Sequence, residues 1–113
     1  FMTIADVRDI LNAFVITGQE LLDKEVHNAC GSDMMSDVLA FVKDQSVLLT
    51  GLVNAQVVRT AEMMDMVCIV FVRGKEPGED IKKLAQERGI VLMKTPLRMF
   101  PACGLLYNAG LRG

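Results

Sequence analysis

The chain predicts a single compact α/β domain, with a mostly parallel or mixed sheet of about five short strands and flanking helices. Three observations carry this. Val67–Val72 is an unbroken β-branched and aromatic run without alternation, as a central strand buried on both faces reads. Glu79–Arg88 behind it is a clean amphipathic helix, with Ile81, Leu84 and Ala85 inward and charges outward. Two apolar strands, Val47–Leu49 and Val67–Val72, each run into a glycine-bearing turn and then a helical pattern. Those turns are Thr50-Gly51-Leu52-Val53-Asn54 and Arg73-Gly74-Lys75-Glu76-Pro77.

Taken in order, Thr3 with Asp6 three residues on is a capping-box variant, opening a helix to about Leu11. Phe14–Thr17 reads as a short strand ending at Gly18, and Glu25–Cys30 as another with imperfect alternation. Gly31-Ser32-Asp33 opens a helix to about Val42, with Met34, Val38, Leu39 and Val42 at helical spacing and Ser32 or Asp33 as its cap. Val47–Thr50 is a short apolar strand. Asn54 caps the next helix, to about Met64, on the stripe Val57, Val58, Ala61 and Met64.

Gly89 ends the helix after Val67–Val72, and Ile90–Met93 is the last strand. Pro101 would fall too deep in a helix begun at Thr95-Pro96. A short turn over Leu97–Phe100 is therefore expected, then a helix from about Pro101 to Ala109, stopped by Gly110.

Composition bounds the partners. The 113 residues suit one domain over 2–113, and Phe1 ahead of Met2 reads as a cloning remnant. Hydrophobic residues make up 51% of the chain, yet there is no Trp, so Val, Ile, Leu and eight Met must supply the core volume. That apolar excess, with the doublets Met34-Met35 and Met63-Met64, points to core and interface packing in a homodimer. A net charge of −2 without a long basic run argues against nucleic acid. No apolar run approaches the ~20 residues that span a bilayer, and no signal peptide is visible. Three dispersed cysteines without C-x-x-C suit the cytoplasm rather than a disulfide framework.

No catalytic constellation emerges. The chain lacks G-x-x-x-x-G-K-[ST], G-x-G-x-x-G and G-x-S-x-G. His27, the only histidine, falls inside a predicted strand and takes a structural or surface role. Cys68 belongs to the core strand and Cys103 to the apolar side of the last helix. Cys30 alone is expected near the strand ends, and no clustered ligands support a metal.

The better candidates are polar groups beyond the carboxyl ends of the strands, where parallel sheets bind ligands. Gly31, Ser32, Gly51, Asn54, Arg73 and Gly74 are expected to converge there. Backbone amides would supply donors and Arg73 a fixed charge for an anion, while Asp33 would oppose it.

From Thr3 to Leu111 the chain resembles a DRTGG domain. The resembling stretches are Thr3-Ile4-Ala5-Asp6-Val7, Thr17-Gly18-Gln19-Glu20-Leu21-Leu22-Asp23-Lys24-Glu25-Val26, Met35-Ser36-Asp37-Val38-Leu39, Leu49-Thr50-Gly51 and Lys75-Glu76-Pro77. Gly51, Gly74 and Pro77 are retained from the naming motif, while its polar Asp, Arg and Thr are replaced. The resemblance implies an α/β module that self-associates, similar in fold to the N-terminal domain of HPr kinase/phosphorylase. Such modules accompany some phosphotransacetylases and CBS-domain pyrophosphatases, with no established activity of their own. The implied function is regulatory or scaffolding, without a cofactor, acting on an unidentified protein partner in trans. The alternative is a sensor that binds an adenine nucleotide or other phosphorylated metabolite at the strand ends. An enzyme of unknown type is a distant third.

Overall fold

The computed structural model describes residues 1–113. Its sheet carries five strands in the order β2-β7-β6-β5-β4. These are β2 (Phe14–Thr17), β4 (Asn28–Gly31), β5 (Ser46–Thr50), β6 (Cys68–Phe71) and β7 (Val91–Lys94). β4 to β7 run parallel and β2 is antiparallel to β7, so the sheet is mixed. A separate two-stranded ribbon pairs β1 (Met2–Thr3) with β3 (Glu25–Val26).

Alternation along the strands explains the three layers. Val47, Leu49, Cys68, Val70, Val91 and Met93 face α1 (Ile4–Leu11) and α5 (Met99–Asn108). Leu48, Ile69, Phe71 and Leu92 face α2 (Met35–Phe41), α3 (Ala55–Met63) and α4 (Glu79–Arg88). β6 lies between β5 and β7 with all four residues buried, the central position its unbroken apolar run demands.

The end signals of three helices match their sequence. Thr3 Oγ1 accepts from the Asp6 amide and Asp6 accepts from the Thr3 amide, a reciprocal capping box. Asn54 Oδ1 accepts from the Val57 amide at 3.2 Å. Gly89 closes α4 in the left-handed conformation, at φ +69°.

Three expectations are corrected. Glu25–Cys30 is not one strand: the chain leaves the ribbon after Val26, exposes His27, and enters the main sheet at Asn28. The imperfect alternation was the trace of that change of sheet. Neither Ser32 nor Asp33 caps α2; the cap position is Met34, without a side-chain bond, and the helix is only seven residues long. Finally, α5 begins at Met99, so Pro101 is its third residue. The first amides of a helix have no intrahelical acceptor, and proline removes nothing there.

Candidate functional site

Because β4, β5 and β6 are parallel and paired Gly31 to Leu49 and Thr50 to Phe71, their carboxyl ends open on one side. The turns that follow them meet there. Asp33, two residues past β4, turns its carboxylate onto the end of β5. Its Oδ1 accepts from the Gly51 amide at 2.7 Å and from the Thr50 hydroxyl at 3.0 Å. The Thr50 hydroxyl in turn accepts from the Leu52 amide at 3.1 Å, which fixes its proton toward Asp33.

Gly51 lets the Arg73 side chain lie close over the end of β5. A Cβ there would be 3.1 Å from Arg73 Cζ, closer still to Nη2, and 3.5 Å from Asp33 Oδ2. The Arg73 guanidinium and the Asp33 carboxylate thus share one side of Gly51. They nevertheless form no ion pair within 4.0 Å, and neither Arg73 nor Lys75 makes a side-chain hydrogen bond or ion pair in the chain. The Gly51 amide, the Thr50 hydroxyl and the charges of Arg73 and Lys75 hold the Asp33 carboxyl below its ordinary value.

Arg73 adopts φ +59° and Gly74 φ +66°, two successive left-handed residues. The Arg73 amide donates to Leu97 O and the Gly74 amide to Thr95 O, both at 2.8 Å. These bonds tie the turn after β6 to the segment leading into α5. Beyond it, Glu76 accepts from Lys94 and pairs with Lys82, which pulls its carboxyl down, the Lys94 bond foremost.

Of the expected site residues, Gly51 and Arg73 come together and Ser32 is bonded to the end of β5, but not as free donors. The amides of Ser32, Gly51, Arg73 and Gly74 all donate within the chain, that of Ser32 to Leu49 O at 3.0 Å. Ser32 Oγ accepts from the Met34 amide, and Asn54 is occupied as a cap. At Gly31, a Cβ would run into Cys103 Sγ and lie 3.2 Å from Met99 Sδ, so this glycine admits α5 against the strand end. Cys30 is accordingly not the only cysteine near the ligand face. What remains uncommitted is the Arg73 guanidinium and the Lys75 ammonium. Thr50 and the positioning of Asp33 were the features the sequence hid. Their only signal was a strand-end Thr-Gly opposite a carboxylate two residues beyond the neighbouring strand.

Other reactive groups are subdued. Burial raises the Cys30 and Cys103 thiols, Cys103 lifts Cys30 further, and Cys68 is fully buried and strongly raised. Such thiols are neutral and poor nucleophiles. His27 is exposed beside Glu25, at 3.4 Å. It borders a cleft of about 400 Å³ with Met2, Val26 and Leu111, at the start of β4 and away from the strand ends. No group of three or more His, Cys, Asp or Glu is placed to hold a metal, and no helix is long and apolar enough to cross a membrane.

Comparison with known proteins adds two findings. A family model described as "DRTGG domain" matches residues 6–108. The fold is similar to a crystal structure of the CBS and DRTGG domains of the regulatory region of a Clostridium perfringens pyrophosphatase, complexed with its activator diadenosine tetraphosphate. The TM-score is 0.75 at 18% identity, over 92% of this chain and 45% of that one. The chain thus spans under half the length of that neighbour, and the likeness is one of fold. No curated protein matches the chain significantly.

Proposed function

The chain belongs to the DRTGG domain family, and from that premise we propose that it is a non-catalytic regulatory module, self-associating and acting on a partner protein in trans. One observation carries the non-catalytic reading: the carboxylates at the strand ends are held by neighbouring donors. Asp33 is bound by Gly51 and Thr50, and Glu76 by Lys94 and Lys82, while Asp37, the carboxylate near the Cys30 thiol, raises that thiol rather than activating it. The neutral thiols and the remote His27 agree with it. Three free cysteines favour a reducing compartment, the cytoplasm.

Self-association is supported by α5. Its ten residues include no charge; Ala102 and Leu106 enter the core, while Phe100 and Leu105 face solvent. A second copy offers a matching uncharged helix face. Light scattering at ~100 μM should give twice the chain mass, a concentration above a micromolar dissociation constant. Leu105→Glu should give the single-chain mass, with a cooperative melt that no longer depends on protein concentration. A wild-type monomer at that concentration overturns self-association.

A second reading, ligand sensing, is favoured by the unpaired Arg73 guanidinium over Gly51. The fold neighbour, a regulatory region, is complexed with diadenosine tetraphosphate, an adenine nucleotide. A thermal-shift panel of nucleotides and acyl phosphates at millimolar concentration tests it, because a ligand bound only by the folded state raises the melt. A flat panel leaves the scaffold alone.

A further inference from the structure

We propose that the Asp33 carboxylate is a built-in occupant of an anion site, which a phosphorylated small molecule enters by displacing it from the Gly51 amide and the Thr50 hydroxyl and by pairing with Arg73. This rests on the sensing reading and assigns it a place and a means.

The donors point the way. The Gly51 amide and the Thr50 hydroxyl converge on one oxygen, Asp33 Oδ1, at 2.7 and 3.0 Å. Two donors directed at a single anionic oxygen form an oxyanion position. Asp33 fills that position but does not reach the guanidinium, which lies across the same glycine without a partner. A carboxylate presents two oxygens in a plane; a phosphoryl group presents three in a pyramid. It can take the two neutral donors with one oxygen and the planar guanidinium fork with the others. Lys75 adds a second positive charge that acts on Asp33. Thr50 and Gly51 are buried, whereas Asp33 and Arg73 beside them are exposed, so the exchange uncovers the two donors by moving surface side chains.

Displacement has an output. Asp33 is the side-chain tie between the turn after β4 and the end of β5. Behind that turn, α2 is short and lacks a side-chain cap. Releasing Asp33 loosens the entry to α2, whose Phe41 and neighbouring Met34 are exposed. Occupancy at the strand ends is thereby converted into mobility of a surface helix.

The test uses the full chain and inorganic tripolyphosphate, titrated by calorimetry, with a melt for every variant. Asp33→Ala should bind about tenfold or more tightly than wild type, the scale of a charged hydrogen bond. Adding Arg73→Ala should remove that gain. Asp33→Asn keeps the acceptor oxygen and carries the comparison if Asp33→Ala melts early; it should show a smaller gain. Hydrogen exchange over residues 33–41 should quicken on binding to wild type. Equal or weaker binding by folded Asp33→Ala and Asp33→Asn overturns the displacement, as does no binding by any variant. If diadenosine tetraphosphate binds wild type with an affinity that neither Asp33→Ala nor Arg73→Ala alters, sensing stands and this site is lost.

Discussion

The Gly51 amide donates to Asp33 Oδ1 at 2.7 Å across eighteen residues of sequence, joining the turns that leave two neighbouring parallel strands. The bond explains why Asp33, which as a bare charge would repel an anion, sits on two hydrogen-bond donors near the charges of Arg73 and Lys75. It also sets how the fold responds to acid. Asp33 has a folded-state pKa below its ordinary value of 3.8, so its ionised form stabilises the fold above that value. The contribution is lost as the pH falls below about 4 and passes the folded value. At neutral pH the wild type should melt above Asp33→Asn, and the gap should close on acidification. A gap that widened in acid would contradict the assignment.

Gly18 tests close backbone approach. Its φ is +86°, and a Cβ would meet Val91 Cγ2 at 2.9 Å and Val91 Cα at 3.0 Å. Gly18→Ala adds the left-handed penalty, about 1–2 kcal/mol, to overpacking of about 1–3 kcal/mol. Gly89→Ala, at φ +69° with nothing within 4 Å, carries only the first. Urea denaturation should rank them in that order, with Gly18→Ala about 2–5 kcal/mol below wild type.

Thr17 offers the opposite change. Its hydroxyl, at the end of β2, is buried and has no hydrogen-bond partner. Valine has the same shape without the orphaned oxygen, so Thr17→Val should stabilise the domain by about 1 kcal/mol. A lower melt for this variant would mean that the hydroxyl is satisfied in solution.

These contrasts show what the chain made legible. Local signals were readable: the Thr3–Asp6 box, the Asn54 cap, Gly89, and the apolar run of Cys68–Phe71 that became the central strand. Failures came where a residue's role depends on distant chain. His27 ends one sheet and leads into another because Met2–Thr3 pairs with Glu25–Val26, which no window around His27 contains. Asp33 has the spacing of a helix cap but is captured by Gly51 and Thr50. The glycine turns do follow the carboxyl ends of the strands, but the amides assigned to a ligand there already serve the chain. Hydrogen-bond satisfaction is a property of the packed fold, and sequence patterns mark turns without saying which donors are taken.

Arg73 separates stability from binding. At φ +59° it holds a conformation that disfavours any residue with a Cβ, while its guanidinium has no partner in the chain to offset the strain. Asn12, Gln45 and Asp65 share that backbone region, so what sets Arg73 apart is its uncommitted charge beside Gly51. Arg73→Gly removes both strain and charge, whereas Arg73→Ala removes the charge and keeps the strain. Arg73→Gly should therefore raise stability by about 1–2 kcal/mol, and Arg73→Ala should leave it nearly unchanged. Both should weaken binding of a phosphorylated ligand equally, by about 1.5–3 kcal/mol. Denaturation curves for the two variants, with calorimetry on the same samples, decide the matter. If Arg73→Gly proves less stable than wild type, the guanidinium stabilises the fold by packing over Gly51, and its place there is structural.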